Sequence, residues 1–216
     1  STPLYSSAAS DVYKRQAPSG PAQTGLLRAA LTDGGVVAGD VALIETHGTG
    51  TALGDPIEAG AIAAVFLSQW DGSSNPLAVS SLKANAGHTE PGAGIAGALK
   101  LHQQLCAGTV ALNAQLRALN PLGGARGASS MVLGTNALRC GRGMGGVSSF
   151  GFSGTIAHAV LGCGSGVDAR GLDRVAGESS VLSVGCTGKD KAGEQVLERR
   201  AQLDVRRSTF AAGGAT

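Results

Sequence analysis

Three short segments of this 216-residue chain carry residue types that could do chemistry at close quarters. The first is His47-Gly48-Thr49-Gly50-Thr51, continuing through Gly54-Asp55-Pro56-Ile57-Glu58-Ala59. A histidine just past a buried strand is held rigidly and faces whatever cleft lies above the sheet. Its glycines allow close approach of a substrate, and its threonines offer hydroxyls. The second is Ser81-Leu82-Lys83-Ala84-Asn85-Ala86-Gly87-His88-Thr89-Glu90. Neither Lys83 nor Glu90 tolerates burial alone, so the two are expected to pair and so to fix the loop presenting His88. The third is Ser148-Ser149-Phe150-Gly151-Phe152-Ser153-Gly154-Thr155. Two phenylalanines between glycines suit a mobile gate whose main-chain N–H groups serve an oxyanion hole. The alternative is a Gly-rich hairpin that packs its aromatics into the core.

The elements that must position these segments follow from periodicity. A helix is predicted over 23–31, and the apolar run 41–44 reads as a buried strand. Asp55 is the expected N-cap, and Pro56 the first residue, of a helix reaching about residue 69. A second strand is expected at 77–82, a polar loop at 83–90 and a Gly/Ala-rich helix at 92–105. Further strands are expected at 130–133, 147–150 and 156–161. Strand, polar loop and helix thus occur twice, which indicates an α/β domain with its polar residues at the strand ends. Residues 1–16 read as an irregular lead, more like translated adapter sequence than a native element, and are set aside. The patterned domain spans 17–163. Residues 164–216 read as a linker or frayed tail with one candidate helix at 189–205.

Composition bounds the function class. A net charge of +2 indicates neither a nucleic-acid binder nor a membrane-surface protein. Between Pro91 and Val167 there is no Asp or Glu, while Lys100, Arg117, Arg126, Arg139 and Arg142 all fall there. That stretch is either an ordinary solvated surface or a face for an acidic or phosphorylated partner. The four cysteines are widely spaced, which suggests neither zinc nor a disulfide framework, and reduced thiols in a cytoplasmic or other reducing compartment are expected. No apolar run approaches the roughly 20 residues of a membrane span. Glycine, at 35 residues, is more than twice the usual share of about 7%, so tight turns and close backbone approaches are expected.

Taken together, the three segments resemble the β-ketoacyl synthase family, especially ketosynthase domains of modular type I polyketide synthases. Ala17-Pro18-Ser19-Gly20-Pro21-Ala22-Gln23 is similar to that family's lead-in to its C-terminal half. The resemblance implies a thiolase-like, five-layered αβαβα fold, of which this chain supplies the C-terminal half, and a homodimer. It implies that His47 and His88 are catalytic and assist loss of carbon dioxide from a malonyl thioester, with Lys83 as the active-site lysine. Glu90 is implied as its partner, Asn85 as a supporting residue, and Thr49 and Thr51 as hydroxyls for the phosphopantetheine arm. The Phe152 amide is implied as an oxyanion donor at the gate. No cofactor or metal would be bound by the domain itself, and substrates would arrive on an acyl carrier protein.

Several departures accompany the resemblance. Ile156 follows Thr155 where the family has Asn, Pro91-Gly92 replaces small residues, and no cysteine stands in an Ala-Cys-Ser-Ser context. The nucleophilic thiolate must therefore come from the other half, and the chain alone is expected to be inactive. Three rivals differ in class. A non-catalytic ketosynthase-like module would serve dimerisation or carrier docking, and a thiolase would condense CoA esters. Gly92-x-Gly94-x-x-Gly97 fits a dinucleotide fingerprint, but the preceding strand ends too early and no acidic residue follows at the required distance. His102 and Cys106, one helical turn apart, read as a helix face rather than as metal ligands.

Overall fold

The structure, a computed structural model, describes residues 18–68, 76–114, 116–118, 120, 131–134, 138–139, 143–152, 154–162, 179–189 and 195–206. The lead at 1–16, Cys140, Cys163, Arg126 and Arg142 lie outside the described residues. Helix α1 (Gly20–Gly34) is longer than the periodicity suggests, because Pro21 falls in its first turn, where a missing N–H costs nothing. The Ser19 hydroxyl caps it by accepting the Ala22 N–H at 3.4 Å, and Gly35, at φ 61°, closes its other end. Strand β1 (Val41–Glu45) leads through the His47 loop into α2 (Gly54–Phe66). Asp55 is therefore inside α2 and is not its N-cap, and Pro56 is its third residue. The Thr51 hydroxyl accepts the Gly54 N–H at 3.1 Å instead, so this upstream contact starts the helix one residue early.

Strand β2 (Leu77–Ser80) is followed by a single helical turn, α3 (Lys83–Ala86), where a loop was expected. A 3₁₀ turn (Glu90–Gly92) then opens α4 (Ala93–Ala107). Short strands β3 (Thr109–Val110), β4 (Met131–Leu133) and β5 (Leu138–Arg139) precede the long hairpin β6 (Met144–Phe150) and β7 (Ile156–Gly162). Within the candidate helix at 189–205, the described residues are strand rather than helix. That region holds β8 (Ser179–Lys189) and β9 (Gln195–Arg206), which pair antiparallel on the free edge of β7. Leu203 and Val205 alternate with Gln202 and Asp204, a period of two that an exposed strand edge can recruit.

The main sheet runs β4-β2-β1-β6-β7-β8-β9, parallel as far as β6 and antiparallel beyond it; β3 and β5 form a separate pair. One face packs Leu27, Leu31, Ile44, Ile62, Phe66 and Val160 beneath α1 and α2. The other packs Leu43, Leu101, Leu105, Val147 and Leu161 beneath α4. An irregularity in β1 between Val41 and Leu43 lets Val41 share a face with Ile44. The layers described are therefore α, β, α. Helix α4 sits close to the sheet through glycine: a Cβ at Gly94 would meet Ser149 Oγ at 2.8 Å, and one at Gly97 would touch Glu45 and Val147. The Gly94 and Gly97 spacing thus serves helix–sheet packing, and no dinucleotide loop is formed. On the outer side of α4, Ile95 (71%) and Leu99 (64%) are exposed one turn apart.

Cys106, near the end of α4, is disulfide-bonded, which corrects the expectation of a reduced thiol at that position. No helix among the described residues is long and apolar enough to cross a membrane.

Candidate active site

The chemistry-bearing residues gather at the carboxyl ends of β1 and β2, where strands hand over to helices. Beyond β1 the chain turns sharply at Gly48, with φ 41°. A Cβ there would lie 2.7 Å from both Ser81 Oγ and Thr46 Oγ1, so only glycine fits. The turn is fastened from two directions. The Thr46 N–H and hydroxyl both donate to the Ser80 carbonyl, at 2.8 and 3.1 Å, and Ser81 Oγ donates to the Gly48 carbonyl at 3.3 Å. On the other side, Glu58 accepts the His47 N–H at 2.8 Å and the Gly48 N–H at 3.0 Å.

These constraints place His47 and His88 edge to face, with ring centroids 5.9 Å apart and planes at 87°. Each ring accepts a main-chain N–H at Nδ1. Phe150 donates to His47 at 3.2 Å, and Glu90 donates to His88 at 2.9 Å. An occupied Nδ1 lone pair puts the ring proton on Nε2, so both imidazoles carry a free Nε2–H. Burial, the neighbouring Lys83 ammonium and His88 together lower the His47 pKa to about 4. His47 is therefore a neutral donor at physiological pH.

Lys83 and Glu90 do not pair; Lys100 instead pairs with Glu45, at 2.7 Å. Gly87 (φ 77°) and Glu90 (φ 47°) bend the loop so that the Glu90 side chain is exposed while its amide points back to His88. The carboxylates acting on half-buried Lys83 come from elsewhere: Glu58, Glu45 and Asp55 raise its proton affinity, against burial, which lowers it and prevails. Glu45, 1% exposed, also accepts from Ser80 Oγ at 2.7 Å and from the Leu82 N–H, tying β1 to the turn that carries Lys83. Sequence reasoning assigned no role to Glu45 or Glu58, and read Lys100 only among the cations of the acid-free stretch. The apolar run before Glu45 was the available signal, because a carboxylate at a buried strand end requires a partner.

Asn85 holds the outer wall by accepting the Ala114 N–H at 2.9 Å, and Asn113 bridges Ser81 and Val79 beneath it. Thr49 and Thr51 lie with their hydroxyls 3.5 Å apart, Thr49 on the wall of a cleft of about 770 Å³. Asp55, Lys83 and His88 line its polar side, and Ile62, Leu116 and Met131 its apolar side. Phe152 stands at the tip of the β6–β7 hairpin, 93% exposed, so its aromatic ring is not packed into the core. Among the described residues no group of three His, Cys, Asp or Glu could hold a metal ion. Of the five cations in the acid-free stretch, Lys100 is used in the buried pair, and Arg117 is exposed.

The described layers, α/β/α, bring His47, just beyond β1, against His88, in the loop after α3. The chain belongs to the β-ketoacyl synthase family: residues 5–117 match the family's C-terminal domain. That match begins inside the lead set aside above. Erythronolide synthase EryA3 of Saccharopolyspora erythraea is 42% identical over 148 residues, which are 67% of this chain and 5% of that protein. Pikromycin polyketide synthase component PikAII of Streptomyces venezuelae is 41% identical over 152 residues, 67% and 4% respectively. Among solved structures, ketosynthase twelve from the bacillaene polyketide synthase of Bacillus amyloliquefaciens is similar with a TM-score of 0.62 and 30% identity. It is matched over 68% of this chain and 26% of its own. The oxazolomycin ketosynthase domain OzmH KS8 of Streptomyces albus JA3453 gives 0.60 and 36%, over 74% and 42%. The chain thus spans a small fraction of its curated relatives and carries the C-terminal part of a thiolase-like ketosynthase fold.

Proposed function

We propose that this chain forms the histidine-bearing half of a polyketide-synthase condensing site. In this reading the complete domain joins an acyl thioester, held on a cysteine of the other half, to a malonyl-type thioester on an acyl carrier protein. The observation that carries it is the pair of Nε2–H donors fixed by the Phe150 and Glu90 amides. As the malonyl carboxylate leaves as carbon dioxide, the electrons of the breaking C–C bond move onto the thioester oxygen. Two neutral donors stabilise that oxygen without releasing a proton to the carbanion. The carbanion then attacks the acyl carbon, and the cysteine sulfur departs as thiolate. Lys83 contributes by its positive field, which helps to hold His47 unprotonated. Thr49 and Thr51 hold the phosphopantetheine arm, the Phe152 amide meets the acyl oxyanion, and Asn85 keeps the wall of the cleft in place. Two such domains work as a homodimer.

The test is carbon dioxide release and product formation from malonyl- and acyl-carrier protein. The domain completed by its cysteine-bearing half should turn over, and the 216-residue chain alone should not. Condensation by the chain alone would refute the assignment. A second reading, a non-catalytic module that docks carrier protein, is favoured by buried Ile156 at the base of the hairpin, where a hydrogen-bonding amide was expected. Carrier binding by the completed domain with no release of carbon dioxide would select it.

A further inference from the structure

We propose that Ser148 and His158, a buried pair facing each other across β6 and β7, are positioning residues that hold the end of β6 where the Phe150 amide reaches His47 Nδ1. Calling the centre catalytic rests on the reading above; the positioning itself does not. The ladder between β1 and β6 ends at Glu45 and Val147, so Ser148, Ser149 and Phe150 run on past it with β7 as their strand partner. Phe150 is the donor that orients His47, at 3.2 Å, the long end of the usual range for an N–H hydrogen bond. A main-chain donor cannot be deleted by substitution, but a small shift of β6 would disengage it.

Ser148 and His158 are directly opposite in the β6–β7 register, and both are buried. Ser148 Oγ and His158 Nδ1 are 3.0 Å apart. The rest of the imidazole is fitted to its surroundings by shape. A Cβ at Gly146 would lie 2.6 Å from His158 Nε2 and 2.8 Å from Ile44 Cδ1, so the ring occupies the space that glycine leaves. Phe66 of α2 closes on it with ring centroids 6.5 Å apart. His158 Nε2 has no hydrogen-bond partner among the described residues. A buried N–H is left orphaned less readily than an acceptor, so the ring proton belongs on Nδ1 and is donated to Ser148 Oγ. Packing thus fixes the ring, and one hydrogen bond passes that position to β6. Strand alternation puts Ser148 and Phe150 on the same face, and the Phe150 ring in turn lies 5.1 Å from the His47 ring.

Nuclear magnetic resonance on the nitrogen-labelled 216-residue chain tests this without any assay of condensation. In the wild type, the Phe150 amide nitrogen should couple to His47 Nδ1 through the hydrogen bond, and His47 should carry its proton on Nε2. The bond from Glu90 to His88, at 2.9 Å, is the internal control. S148A removes one oxygen atom and should abolish the Phe150–His47 coupling while leaving the Glu90–His88 coupling unchanged. H158L fills the space of the ring without a polar atom and should do the same. H158N sets an amide nitrogen near the place of Nδ1 and should keep both couplings. A purely structural pair would lower the melting temperature in S148A and leave both couplings in place. An undiminished His47 coupling in S148A, or in H158L if S148A does not fold, would therefore overturn the proposal. So would loss at both histidines, which marks general loosening, or a wild type without the Phe150–His47 coupling. Loss in H158N would overturn the hydrogen bond as the link, whether or not the other variants fold. If the completed domain releases no carbon dioxide while the His47 coupling responds as expected, the condensing reading fails and the assignment of Ser148 and His158 stands.

Discussion

The His47 and His88 rings meet edge to face at 5.9 Å, and each has its Nδ1 occupied by a main-chain amide, that of Phe150 at the end of β6 for His47 and that of Glu90 in its own loop for His88. The histidine pair is thus oriented by main chain rather than by side chains that a single substitution could remove. Replacing either ring, however, deletes its donor. In the completed domain, His88→Ala should lower malonyl decarboxylation about 100- to 1000-fold, the usual effect of losing one oxyanion donor. His47→Ala should do likewise. Unchanged carbon dioxide release in either variant would remove that ring from the reaction.

Lys100 and Glu45 form a buried pair, so removing one partner leaves a charge without compensation. Lys100→Met should cost about 3–5 kcal/mol of stability, and Glu45→Gln a similar amount. The double variant should recover part of the loss, because neither charge then remains buried. Denaturant unfolding of all four proteins checks this, and strictly additive losses would deny the coupling.

His158 is 1% exposed, shares a hydrogen bond of 3.0 Å with Ser148 Oγ, and is pushed by burial to a pKa of about 3. Between about 3 and its unfolded value of 6.5, the unfolded chain binds the extra proton. Its stabilising contribution is therefore complete above pH 6.5 and is lost as pH falls, by up to roughly 1.4 kcal/mol per unit. Glu58, raised from 4.5 to about 7, acts in the opposite sense over its own window, so the net slope is shallower. His158→Gln should flatten the acid limb of a stability-versus-pH curve. An unchanged limb would show that another group sets it.

Ile95 and Leu99 present apolar surface on the outer face of α4. Ile95→Lys with Leu99→Lys should lessen self-association of the 216-residue chain in light scattering at a given concentration, without lowering its melting temperature. Undiminished association would locate the adhesive surface elsewhere.

Local pattern located most of the fold and the two histidines, because each stands just beyond an apolar strand or ahead of a Gly/Ala-rich helix. Pattern failed where a partner is remote. Lys83 and Glu90 are near in sequence, yet positive φ at Gly87 and Glu90 separates them; Glu45 and Lys100, 55 positions apart, are the pair that forms. Residues 189–205 suit both an amphipathic helix and an alternating strand. The open edge of β8, itself paired on β7, decides in favour of strand β9, and no local property of the segment reports that edge.

Gly97 has a hydrogen where another residue would carry a methyl group, and a methyl carbon at that point would lie only 3.4 Å from Glu45 Cγ. Any thicker residue would lift α4 off β1 and draw the Lys100 ammonium away from its carboxylate. Glu45 would then be left to act on Lys83, so a methyl group added on a helix would redistribute charge beside the cleft without replacing a single ionisable side chain.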